Sequence, residues 1–200
     1  MDFSKIPRPA FGKAAQHTPA TPSPLKAKAE ARYQRAAKTA AELLPELPAK
    51  GEAVHALMLG TFDLCQVITA VVPRLPDCRH LRIATLCFSK RNAAELLSLL
   101  DNRPALGFTL LVSSFFREHN KGLYEWFTEE LQEHPTARIA AARSHCKVVC
   151  FDIGPKDALV FEGSANLRTN KNREQLAAVR DRTLHDWHAG WIDALVNTDG

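Results

Sequence analysis

From Gly51 onward the chain alternates between two hydrophobic periodicities, and this alternation limits what it can fold into. Short strand-like runs occur at Val54–Leu59, Leu81–Cys87, Phe108–Ser113, Arg138–Phe151, Ala158–Phe161 and Glu174–Val179. Helical stripes lie between and after them. Thr61–Val72 reads as a helix stopped by Pro73. Lys90–Leu100 carries Ala93, Leu96, Leu97 and Leu100 at helical spacing. Lys121–Glu133 places Leu123, Trp126, Phe127 and Leu131 inward, and Leu184–Val196 aligns Leu184, Trp187, Trp191, Ile192 and Leu195. Strands interleaved with helices predict an α/β sandwich with a mixed β-sheet. No repeat of solenoid type occurs.

The first 50 residues are built differently. They hold seven of the twelve prolines, and Met1 to Pro24 is rich in Pro, Ala, Thr and Ser. So little apolar surface cannot offset the entropy of ordering, so this stretch is expected to be disordered. Leu25 to Leu44 is Ala- and Lys-rich and reads as a helix ended by Pro45 and Pro48. Its apolar stripe is thin, which predicts weak docking, or docking on a partner. We therefore divide the chain into an arm, 1–50, and a body, 51–200. The arm carries nine Lys or Arg against four Asp or Glu, and the body 17 against 18. The basic character thus belongs to the arm. A basic arm can grip a polyanion, and a solvated tail has the same composition.

At 200 residues, with 46% hydrophobic and 24% charged residues, the chain can fill one soluble core. Its longest apolar run, Leu64 to Val72, is far short of the roughly 20 residues needed to span a bilayer. The start has no apolar signal-peptide core, so a cytoplasmic location without stable membrane association is expected. The five cysteines (Cys65, Cys78, Cys87, Cys146, Cys150) are odd in number and irregular in spacing. That argues against a disulfide framework. Within one strand Cys146 and Cys150 would stand about 13 Å apart, against the roughly 4.4–6.8 Å a disulfide needs. Reduced, core-facing thiols are expected.

The chemistry concentrates in His145-Cys146-Lys147-Val148-Val149-Cys150-Phe151-Asp152, followed by Gly163-Ser164-Ala165-Asn166. On a strand, His145 and Lys147 would share a face. An imidazole beside an ammonium is awkward to bury and well suited to a phosphate. Alternation would turn both neighbouring cysteines away from His145, which argues against a zinc site. Together these residues resemble the signature of the phospholipase D superfamily, His-x-Lys-x4-Asp followed by Gly-Ser-x-Asn. The continuation Asn172-Arg173-Glu174 matches the Asn-x-Glu found in such proteins, and the helix with Trp187 and Trp191 is similar to that of the small single-motif nucleases of this superfamily. The likeness covers about Val54 to the C-terminus.

The resemblance implies a phospholipase D-like α-β-α sandwich and a metal-independent phosphodiesterase without cofactor. In that scheme His145 is the nucleophile and forms a phosphohistidine. Lys147 and Asn166 hold the anionic oxygens, and Ser164 assists. Glu174 fixes the histidine tautomer. Gly163 lets the backbone approach the ligand, and Arg168, Lys171 and Arg173 supply local positive surface. Asp152, on the face opposite His145, is expected to fix the hairpin. The stretch from Asp152 to Gly163, with Gly154-Pro155-Lys156-Asp157, reads as a lengthened hairpin loop. A single motif implies a homodimer with its site on the two-fold axis. Nucleic acid, DNA or RNA, is the expected substrate. The alternatives are a phospholipid phosphodiesterase or phosphatidyl transferase, and a non-catalytic nucleic-acid-binding protein. His185 and His188, one turn apart, are expected on a solvated or N-terminal helix face. His55 and His80 carry no readable signal.

Overall fold

A computed structural model of the chain describes residues 39–168 and 171–198. Seven strands form one sheet: β1 (Ala53–Met58), β2 (His80–Thr85), β3 (Gly107–Ser113), β4 (Ala137–Ala142), β5 (Val148–Gly154), β6 (Asp157–Gly163) and β7 (Glu174–Val179). Their order is β1-β7-β6-β5-β2-β3-β4. Strands β2, β3 and β4 run parallel, and the other pairings are antiparallel. The expected α/β sandwich on a mixed sheet is the fold observed. The expected disordered segment and most of the arm helix lie outside the described residues. Residues 39–43 are helical.

Helices α1 (Leu64–Val71), α2 (Lys90–Asn102), α3 (Ser114–His119) and α4 (Lys121–Glu130) belong to the main core, on one face of the sheet. Among the described residues, helix α5 (Arg182–Thr198) alone packs on the other, where Ile192 and Val196 meet Ala84, Leu111, Val148, Cys150 and Val160. Helices α1 and α2 both start with capping boxes. Asp63 accepts from the Gln66 amide and Ser89 from that of Asn92. Asn92 Nδ2 also donates to Asp63, at 3.1 Å, which joins the two helix starts.

Four expectations are corrected. The run Arg138–Phe151 is two strands that are not neighbours, with Arg143–Lys147 connecting them. Periodicity could not show this, because apolar residues flank the break on both sides. The loop after Asp152 is instead a tight hairpin of Pro155 and Lys156, with a register shift between Asp152 and Gly154. Helix α5 is rotated from the expected face. His185, His188, Ala189, Ile192 and Val196 are buried, while Trp187 is 66% exposed. Buried histidines are tolerable here because His188 Nε2 meets Glu162 at 2.9 Å and His188 Nδ1 accepts from Trp191 Nε1 at 3.0 Å. His185 Nδ1 lies 3.0 Å from Asp186. Finally, the end of the arm helix docks firmly. Ala40, Leu43 and Leu44 are buried in the main core, and Arg74 donates to the carbonyls of Leu44 and Pro45.

At the lower end of the sheet, Asp152 accepts from Arg182 Nη1 at 2.8 Å and faces Arg79 at 3.4 Å. Burial works against its charge, but the Arg182 hydrogen bond and the charges of Arg182 and Arg79 win and hold its pKa below 3.8. The hydrogen bond from Arg180 does the same for Asp157. A depressed carboxyl contributes stability that is complete above its unfolded pKa and is lost as pH falls through the folded one. Urea midpoints are therefore expected to hold on the neutral side and to fall once pH drops below about 4. Asp152→Asn should lower the midpoint at neutral pH and flatten the acid slope.

Candidate active site

The strand directions bring five connections to one end of the sheet. Strands β1, β2, β3, β4 and β6 end there, and β5 and β7 begin there. The Arg143–Lys147 segment spans this end, from β4 at the edge to β5 beyond β2. His145 and Cys146 are exposed on it, so Cys146 is not the core-facing thiol expected, whereas Cys150 is buried. No disulfide joins the described cysteines.

His145 and Lys147 come together although neither lies on a strand. Lys147 Nζ is 2.7 Å from both the Nδ1 and the carbonyl oxygen of His145. An ammonium can only donate, so Nδ1 is the acceptor and the imidazole proton sits on Nε2. Partial burial pulls the Lys147 pKa below 10.5, against the opposing charges of Cys146, Glu174 and Cys87. Burial pushes the Cys87 thiol up, while the charges of Arg168 and Lys147 pull it down.

Asn166 is held by its oxygen. Its Oδ1 accepts from the Leu86 amide at 3.1 Å and lies 3.4 Å from Thr85 Oγ1. The backbone donor fixes which way the amide faces. Among the described residues no hydrogen bond engages Nδ2, which leaves two N–H donors for a ligand. Thr85, only 2% exposed, also accepts from the Leu167 amide at 3.3 Å. It orients the segment carrying Asn166, a role no spacing in the sequence announces.

Ser164 and Glu174 form a hydrogen-bonded pair, and Ser164 Oγ also accepts from the Gln175 amide at 3.1 Å. Glu174 thus engages Ser164, and its charge works against the fall in the Lys147 pKa. Gly163 is needed by the neighbouring strand. A Cβ there would lie well inside contact distance of the Gln175 carbonyl. A crevice of about 10 Å³, room for roughly one water, is lined by Gly60, Asp63, Asn166, Arg168 and Glu174 among others. Lys171 and Arg173 are exposed on the connection from β6 to β7, at this same end. Asp152, paired with His80 at the start of β2, lies at the opposite end. Among the described residues, no group of three His, Cys, Asp or Glu is placed to hold a metal ion. No described helix is long and apolar enough to cross a membrane.

No family model matches the chain, and no curated protein sequence matches it. Solved structures that resemble it include the following two. A polyphosphate kinase from Porphyromonas gingivalis aligns with a TM-score of 0.52 at 12% identity, over 80% of this chain and 29% of that one. A phosphatidylserine synthase from Haemophilus influenzae Rd KW20 aligns with a TM-score of 0.39 at 14% identity, over 64% of this chain and 34% of that one. The chain thus spans under a third of the kinase and about a third of the synthase. The class established is an α/β sandwich, and the likeness to the kinase is one of fold.

Proposed function

We propose that this protein is a metal-independent phosphodiesterase of the phospholipase D superfamily, acting on nucleic acid as a homodimer. The observation that carries the reading is the Lys147 ammonium set against the His145 imidazole, at the sheet end where the Asn166 oxygen is pinned and, among the described residues, no hydrogen bond engages its amide nitrogen. A phosphodiester supplies the anionic oxygens that these donors fit.

A mechanism follows from the contacts. The incoming phosphate draws Lys147 off Nδ1, and the imidazole proton can then move from Nε2 to Nδ1. Nε2 attacks phosphorus, a P–N bond forms, and the P–O bond to the leaving group breaks. His145 of the partner subunit protonates that leaving oxygen. Lys147 and Asn166 hold the non-bridging oxygens, and Ser164, placed by Glu174 and the Gln175 amide, assists. Water, deprotonated by His145 of the partner subunit, then cleaves the P–N bond and frees the phosphate monoester. The cluster of Arg168, Lys171 and Arg173 attracts the polyanion.

Incubating the purified chain with end-labelled single- and double-stranded DNA and RNA in excess EDTA tests this. Cleavage of at least one polymer, by a protein that light scattering shows to be dimeric, is expected. A folded dimer inert towards all four would overturn it and direct attention to phospholipid vesicles. The reaction needs Lys147 charged. Because burial lowers its pKa, kcat/KM should fall on the alkaline side before pH reaches 10.5. Lys147→Arg, which stays charged, should retain a reduced rate without that alkaline fall.

A further inference from the structure

Helix α3 opens where β3 ends, and its two phenylalanines part ways. Phe116 is buried against Phe88, with ring centroids 4.6 Å apart, whereas Phe115 is 62% exposed. The Phe115 ring is held in place. His119, one turn on, stacks on it with centroids 3.9 Å apart and planes 27° apart. His119 Nδ1 donates to the Phe115 carbonyl at 2.8 Å. One aromatic face is thus backed, and the ring remains largely open to solvent.

A single exposed aromatic is ordinary, and position is what distinguishes this one. Phe115 stands at the sheet end that carries His145, Lys147 and Asn166. A short relay ties it there. The Phe116 amide donates to Ser113 Oγ at 3.0 Å, and that hydroxyl donates to the Leu86 carbonyl at 2.8 Å. The Leu86 amide in turn donates to Asn166 Oδ1 at 3.1 Å. Strand β3 lies two strand spacings from β5, roughly 10 Å, which is within reach of a neighbouring nucleotide. Arg143, exposed, opens the segment that runs from β4 to His145 and adds a cation along the same line.

We propose that Phe115, backed by His119, is a stacking platform for an unpaired base of a single-stranded nucleic acid whose scissile phosphate sits at His145, Lys147 and Asn166. This rests on the phosphodiesterase reading above and specifies its substrate. Bases within a duplex present their faces to one another, so only an unpaired base can lie on the ring.

The test is fluorescence anisotropy with labelled oligo-dT and with a duplex of equal length. The full chain carries His145→Asn to prevent turnover, alone or with Phe115→Ala or Phe115→Trp. Phe115→Ala should weaken single-strand binding about tenfold or more, Phe115→Trp should preserve it, and duplex binding should change less than twofold. With His145 intact, Phe115→Ala should hydrolyse a small aryl phosphodiester, too short to span from His145 to Phe115, at the unaltered rate. Single-strand affinity that is absent, or unchanged in folded Phe115→Ala, would overturn the proposal. So would loss of the dimer in that variant, which would make Phe115 a protein contact. Phe115-dependent binding without cleavage of any polymer would keep the platform and remove the nuclease reading.

Discussion

His145→Asn is expected to leave less than about 10⁻⁴ of the EDTA-resistant cleavage. The substitution is matched to the geometry. Asparagine Oδ1 can accept from Lys147 roughly where Nδ1 does, so the ammonium keeps a partner. The side chain is exposed, so the cost to folding should stay within about 0.5 kcal/mol. What disappears is the nitrogen nucleophile and, in the dimer, the acid on the facing subunit. Residual rates near wild type with matched thermal unfolding would show that His145 does not attack phosphorus. A rate lost together with the folded state would instead indicate a structural role.

Gly163→Ala is expected to destabilise the protein by about 2–3 kcal/mol, read from urea unfolding. The reason is steric. Among the described residues the only positive-φ glycines are Gly51 and Gly60, so alanine can adopt the backbone at 163. Its Cβ would drive into the Gln175 carbonyl, which belongs to strand backbone and cannot swing aside. Gly163 pairs with Leu176 across β6 and β7, and its amide donates to the Lys147 carbonyl at 3.3 Å. Separating these strands would also part Ser164 from Glu174 and from the Gln175 amide. Activity should therefore fall further than stability alone accounts for. An unchanged urea midpoint would mean that the two strands separate at little cost.

Much of the body was legible because strand and helix periodicities depend on local chain geometry. Glu174–Val179 matches β7 residue for residue, and the other strands differ mainly at their ends. Arg138–Phe151 was not legible as two strands, since which strands become neighbours depends on packing across the whole sheet. Helix α5 shows the same limit from another side. Tryptophans look like core from hydropathy, yet His185 and His188 took the buried face, where Glu162 and Trp191 partner both ring nitrogens of His188 and Asp186 meets Nδ1 of His185. Leu43 and Leu44 were read as part of a thinly apolar helix, and only the assembled main core offered them a place.

By itself the sequence determined the residue types of the proposed phosphate site and their order: His145, Lys147, Gly163, Ser164, Asn166 and Glu174. It also determined the α/β alternation that carries them. The tertiary structure decided how those residues meet. It set Lys147 against His145 from a connection rather than a strand, and it pinned Asn166 through Thr85 and Leu86, about 80 residues earlier in the chain. It also sent Asp152 to the far end of the sheet and left Phe115 open at the near one. The physical reason is that side-chain chemistry and local periodicity are written residue by residue, whereas hydrogen-bond partners and exposure depend on which distant strands share a sheet.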